Sequence, residues 1–367
     1  MIKYLGSKRM LVPQLGRIAA SVGAGTAVDL FTGTTRVAQE LKRRGLEVTA
    51  VDVASYAEAF GRCYISTDAD RVDTAELAGV LDDLDRTPGR AGYVTETFCR
   101  KSRYFMPHNG ERIDAIRDRI EHEYSGSPLH PLLLTSLIEA ADRVDSTTGL
   151  QMAYLKSWAP RARQPMRLQP PALLAGGGTT IRGDATRVVD TLPPTDLAYL
   201  DPPYNQHRYF TNYHVWETLV RWDDPEHYGV ACKRVDARDE GTRSVFNRRR
   251  EMPAALFDLI ARLRAQTVVV SYNDEAWVSP DEITEVLRGH HEECVVVGFD
   301  SPRYVGARIG VYNPDGVKVG TPARLRNREL LFIAGERALV AAAAAAAQPE
   351  GAARSDGAGS TDRVPRG

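Results

Sequence analysis

Asp201-Pro202-Pro203-Tyr204 follows directly on the apolar run 197–200. A strand that ends in Asp delivers its carboxylate to the C-terminal edge of a sheet, where open α/β folds bind ligands. Two prolines fix two φ angles and remove two N–H donors, so the Pro202 carbonyl is available to accept from a ligand. Tyr204 adds an aromatic face at a fixed distance. This set suits an exocyclic amine on a flat base. Such an amine is a poor nucleophile, because its lone pair is delocalised into the ring. A carboxylate and a carbonyl that accept its two hydrogens draw the nitrogen toward tetrahedral geometry. They also stabilise the positive charge that develops during attack. To reach such a site the base has to leave its duplex and stack on an aromatic face.

The elements that must position this motif are legible as apolar, β-branched runs at 26–31, 47–51, 179–182, 197–200 and 267–271, which read as buried parallel strands. Runs 293–299 and 330–334 read as an edge hairpin. The first two strands flank a helical pattern at 35–44 stopped by Gly45, one βαβ unit. Between residues 56 and 178 no strand pattern stands out, and 75–84, 110–123 and 132–142 read as helices. The expectation is a core of residues 1–55 and 179–337 interrupted by a mainly helical insertion, 56–178. Residues 223–250 form a second, irregular polar stretch. From 338 the composition collapses to Ala, Gly, Ser and Asp, with seven consecutive alanines at 341–347. That reads as a short helical extension and then a disordered tail, 338–367, most of it solvated excess.

The chain has 367 residues, ample to bury a core. Its 47 Lys and Arg against 48 Asp and Glu give −1, which argues against a uniformly basic nucleic-acid coat but says nothing of local patches. No signal-peptide or membrane-spanning stretch is present. The four cysteines are widely scattered and the eight histidines show no ligand spacing, so reduced thiols in the cytoplasm and no metal are expected. No cysteine follows a proline, which disfavours attack on cytosine C5 through a Pro-Cys nucleophile.

Several segments, in order, resemble the Dam-like N6-adenine DNA methyltransferases, which use S-adenosylmethionine. Lys3-Tyr4-Leu5-Gly6-Ser7-Lys8 resembles the family's N-terminal cofactor motif, and Asp29-Leu30-Phe31-Thr32-Gly33 its turn after the first strand. Asp52 ends the second strand, where the family holds the cofactor ribose. Gly183-Asp184-Ala185 resembles the segment that reads the cofactor's adenine amine. Phe210, Asn212 and Tyr213 resemble the aromatic segment lining the target-base pocket. The resemblance spans residues 1–334 and implies a Rossmann-like, mostly parallel α/β fold with the insertion as target-recognition region. It implies catalytic Asp201, Pro202 and Tyr204. The cofactor would meet Tyr4, Lys8, Asp29, Phe31, Gly33, Asp52 and Asp184, and the substrate base Pro203, Phe210 and Tyr213. Double-stranded DNA is the implied partner, and a cognate restriction endonuclease a further one. One departure stands out: Thr35 occupies the place of a second family glycine, and its Cβ narrows the approach to the methionine part of the cofactor.

Two basic runs fall largely outside the expected strands and helices of the core, one mostly in the insertion and one in the second irregular stretch. Residues 146–183 hold Lys156, Arg161, Arg163, Arg167 and Arg182 with no acid, and 233–250 hold seven basic and three acidic side chains. Arg100, Lys101, Arg103 and Tyr104 add a basic-aromatic cluster. These are candidate DNA contacts, Arg161 and Arg163 foremost, and they should line one cleft beside Asp201. Three alternatives stay open on the residues: a cytosine N4 or RNA acceptor on the same fold, a non-catalytic DNA-binding module, and a nicotinamide fold suggested by the Asp29–Asp52 spacing. The last lacks G-x-G-x-x-G and leaves Asp201–Tyr204 unexplained.

Overall fold

The β-branched runs form strands, and alternation along them divides two cores. A computed structural model describes residues 2–4, 8–152, 154–155, 157–203, 208–273, 276–302, 311–312, 318–320 and 326–348. Seven strands make one sheet: β1 (Thr26–Asp29), β2 (Glu47–Asp52), β3 (Gly178–Arg182), β4 (Thr195–Leu200), β5 (Ala265–Asn273), β6 (Glu293–Pro302) and β7 (Arg326–Gly335). Their order is β3-β2-β1-β4-β5-β7-β6. The first five strands are parallel, and β7 runs antiparallel to both neighbours. The order turns back between β1 and β4, which opens a crevice at their C-terminal ends.

Runs 293–299 and 330–334 pair antiparallel as the last two strands of the sheet, as expected, with β7 on the inside against β5 and β6 at the edge. The reason lies in the two apolar faces of β7. Leu331 and Ile333 enter one core while Leu330, Phe332 and Ala334 enter the other, and a strand buried on both sides belongs inside a sheet.

Leu197, Tyr199 and Val269 face the first core together with α1 (Val12–Ser21), α2 (Arg36–Arg43) and α3 (Ser55–Gly61). The helices of the 56–178 segment share that core: α4 (Thr74–Asp85), α5 (Pro107–Tyr124) and α6 (His130–Arg143) contribute Leu84, Ile113, Ile116, Leu137 and Ile138. Among its described residues that segment contains no strand before Gly178, which opens β3. Ala198, Leu200, Val268 and Val270 face the second core with α7 (Ala185–Val188), α10 (Met252–Arg262) and α11 (Pro280–His290). Two further helices, α8 (Tyr209–Asn212) and α9 (His214–Arg221), follow the catalytic-motif candidate. The irregular stretch after α9 is held by Arg234, 1% exposed, which donates to both oxygens of Asp223 (2.7 Å each) and to Asp236.

Helix α1 lies outside the elements expected from sequence, although Leu11, Leu15, Ile18 and Ala19 show helical spacing and are buried. Its first turn hangs on the Lys8 carbonyl, which accepts from Leu11 N–H (2.7 Å) and Val12 N–H (3.0 Å). The alanine run forms α12 (Arg337–Ala347), and it is not solvated excess. Val340, Ala343 and Ala347 are fully buried on α1 and the outer strands, and Arg17 Nε donates to the Ala346 carbonyl (2.9 Å). Residues 338–347 are therefore the expected helical extension, packed instead of solvated, and 349–367 of the expected tail lie outside the described residues. Small side chains let two helices approach closely. Burying a carboxylate in that contact costs about 3 kcal/mol, so Ala343→Asp is expected to lower the thermal midpoint by several degrees in a calorimetric scan. Among the described residues no helix is long and apolar enough to cross a membrane.

Candidate active site

Four strand ends converge on the crevice. β4 delivers Asp201, β1 delivers Asp29, β2 delivers Asp52, and β3 leads through Gly183 to Asp184. The Gly183 N–H donates to the Asp52 carbonyl (2.9 Å), which sets the β3 end beside the β2 end. Pro202 is buried and Pro203 half-buried; Tyr204 lies outside the described residues.

Lys8, expected at the cofactor, reaches the Asp201 carboxylate. Its ammonium is 3.2 Å from Asp201 Oδ1 and 2.8 Å from Glu329 Oε2. Asn273 Nδ2 donates to Glu329 Oε1 (3.2 Å). The Lys8 side chain is 6% exposed and that of Asp201 18%. Burial pushes the Asp201 carboxyl up to about 6, with Lys8 drawing it down and Glu329 pushing it up. It is therefore an ionised acceptor at neutral pH and above. Asp29 is fully buried, accepts from Phe31 N–H (3.4 Å), and is pushed up to about 7 by burial, with the charges of Asp201 and Asp52 adding.

The turn after β1 is tied to β2. Asp52 Oδ2 accepts from Gly33 N–H (2.9 Å) and Oδ1 from Ala54 N–H (3.0 Å). Gly33 has φ +50°, and a Cβ there would lie 3.1 Å from the Tyr4 ring. Thr35 has φ +62°, the left-handed conformation a glycine adopts freely. The backbone shape thus survives the substitution, at a strain of about 1 kcal/mol. Its hydroxyl offsets part of that by donating to the Thr34 carbonyl (2.7 Å) and accepting from Gln39 Nε2 (2.8 Å). Asp184 is the N-cap of α7: Oδ1 accepts from Thr186 N–H (2.9 Å) and Oγ1 (2.6 Å).

Tyr4 packs in a stack of tyrosines. Its ring centroid lies 4.6 Å from Tyr213 and 5.4 Å from Tyr209, and its hydroxyl 3.3 Å from that of Tyr56. Tyr213 is fully buried, with its ring stacked on Tyr4. Phe210 is half-buried on α8. Sequence reasoning missed Tyr209 and Glu329. Tyr209 adjoins the aromatic segment already singled out. Glu329 had only the signal of a polar residue leading an apolar run, since its partner is 321 residues away.

The basic runs are partly neutralised. Arg161 is ion-paired to Asp145 (2.7 Å), Arg167 to Asp85 (3.0 Å), and Arg182 lies 3.8 Å from Glu58. Arg234 is buried between Asp223 and Asp236, and Arg248 pairs with Glu240 and Glu251. Asp145, Asp85, Glu58, Asp223 and Glu251 reach the runs from outside and Asp236 and Glu240 lie within them, while Arg163, Arg249 and Arg250 are exposed. Lys156 lies outside the described residues, Arg103 covers the Trp158 ring (4.8 Å), and Lys101 lies 3.2 Å from His227. Among the described residues no group of three His, Cys, Asp or Glu could hold a metal ion.

Comparison with known proteins agrees with this geometry. The chain is 29% identical over 301 residues to the type II methyltransferase M.NlaIII of Neisseria lactamica, covering 78% of this chain and 87% of that protein. It is 27% identical over 320 residues to the modification methylase StsI of Streptococcus sanguinis and 26% over 312 residues to the type II methyltransferase M.FokI of Planomicrobium okeanokoites. Those two matches cover 80% and 79% of this chain but 47% of either relative, so the chain spans about half of their length. Residues 4–285 match the family model described as D12 class N6 adenine-specific DNA methyltransferase. With that match running from Tyr4 through the strand-end acids and the Asp201 motif, the chain belongs to the D12 class of N6 adenine-specific DNA methyltransferases.

Proposed function

We propose that this enzyme transfers the methyl group of S-adenosylmethionine to the exocyclic nitrogen of adenine in a specific duplex DNA sequence, with the base flipped into the crevice. The observation that supports this most is the Asp201 carboxylate held 3.2 Å from the Lys8 ammonium at the topological switch point. The cofactor fits the residues present. A Cβ at Gly33 would crowd Tyr4, so the turn offers backbone at close approach. Asp52 retains lone pairs for ribose hydroxyls beyond its N–H partners at Gly33, Val53 and Ala54. Tyr4, Asp29, Phe31, Gly33, Asp52 and Asp184 would hold the cofactor, which when bound supplies an electrophilic methyl on a sulfonium.

Asp201 and the Pro202 carbonyl accept the two hydrogens of the amine and localise its lone pair. Tyr204, with Pro203 and Phe210, supplies the surface on which the flipped base lies. Methyl transfer would leave the amine nitrogen cationic, and Asp201 would balance that charge. Only then does the amine lose its proton readily, so no strong base is needed at the start. Residues 56–178 serve target recognition, with Lys101, Arg103 and Arg163 as backbone contacts. A restriction endonuclease partner and a cytoplasmic location complete the reading. Supplying labelled cofactor with duplex DNA, single-stranded DNA and RNA in parallel tests it. Label should enter duplex DNA; label confined to RNA would overturn the assignment.

A further inference from the structure

Lys8 is shared between two carboxylates, and the second belongs to no motif discussed above. Glu329 stands opposite Asn273 in the β5–β7 register, just beyond the end of β4. Asn273 engages one Glu329 oxygen and Lys8 the other, while Lys8 also reaches Asp201 Oδ1. An ammonium facing Asp201 alone would settle across that carboxylate and compete with the target amine for its oxygens. A second, anchored carboxylate opposes this.

We propose that Glu329 is a positioning residue for methyl transfer: anchored by Asn273, it holds the Lys8 ammonium to one oxygen of Asp201 and keeps the carboxylate accessible to the target amine. This rests on the adenine-methylation reading above. Among the described residues, the groups facing Asp201 are Lys8 ahead of α1, Glu329 on β7, Asp29 on β1 and the Tyr199 hydroxyl on β4. Of these, Lys8 favours the ionised form of Asp201 and Glu329 disfavours it. Removing the Glu329 charge therefore moves the Asp201 titration to lower pH.

The test uses full-length wild type, Glu329→Gln and Glu329→Asp. Methyl transfer to genomic DNA is measured from acid to alkaline pH, and the Asp201 carboxyl is titrated by carbon-13 NMR, assigned by the signal lost in Asp201→Asn. In Glu329→Gln, kcat should fall about tenfold with KM for the cofactor nearly constant, and the acid limb and carboxyl midpoint should both drop by about half a pH unit. Glu329→Asp should recover part of kcat. Wild-type kcat with an unmoved limb in Glu329→Gln overturns the proposal. If wild type labels no DNA, the methylation reading fails, and the proposal falls with the catalytic role it assigns, whether or not the carboxyl midpoint shifts. If circular dichroism shows Glu329→Gln unfolded, Asn273→Ser takes its place, with the same direction and a smaller effect expected.

Discussion

Asp201→Ala is expected to lower kcat for DNA methylation by about 10²–10³-fold or more while cofactor affinity stays near wild type. Asp201 alone among the acids at the crevice is joined to the prolines that free a carbonyl acceptor, and it stands at the end of β4, away from the Asp52–Gly33 turn. Its loss removes the counter-charge to the cationic nitrogen without disturbing that turn. Asp201→Asn should fare little better. The amide is neutral and presents one acceptor where the carboxylate presents two oxygens. Single-turnover transfer of labelled methyl, with cofactor binding followed by calorimetry, separates the two effects. A variant that loses cofactor binding in parallel with kcat would assign Asp201 to the cofactor instead.

The second large effect is expected at Lys8. Lys8→Met keeps the length of the side chain and removes its charge, leaving Asp201 and Glu329 as two acids without the ammonium between them. The sign follows from what Lys8 does in the wild type, where it draws the Asp201 carboxyl down against burial. Without it the carboxyl rises above about 6 and takes up a proton nearer neutrality. Activity at pH 7 should fall by about 10–100-fold, and the acid limb of the rate profile should move upward, with part of the activity returning in alkaline buffer. An equal loss at every pH would mean that Lys8 acts only through shape.

The two variants also mark how far local pattern reaches. The strand ending in Asp201, the Gly33 turn and the helices after residue 56 are written in short stretches, where apolar spacing, prolines and glycines act within a few residues of themselves. The neighbours of Lys8 are not. Glu329 meets it across 321 residues, through an antiparallel register that brings Glu329 opposite Asn273. The insertion of β7 inside the sheet was open to inference from its unbroken apolar run, since alternation is what an exposed edge would show. Arg161 illustrates the opposite limit. In sequence it belongs to a run without acids, yet Asp145 sits just outside the run and neutralises it. Tyr213 has the residue type of a base-stacking group, and only packing shows its ring fully buried and stacked on Tyr4.

The proposed reaction is methyl transfer from S-adenosylmethionine to adenine N6 at a defined DNA site, with the Asp201 carboxylate accepting from the amine. Modification-sensitive sequencing of genomic DNA, treated with the enzyme and S-adenosylmethionine, reports the base, the atom and the site together. N6-methyladenine confined to one short sequence, and absent after treatment with Asp201→Ala, is the predicted result. Methyl groups on cytosine N4, or adenine methylation that persists with Asp201→Ala, would contradict it.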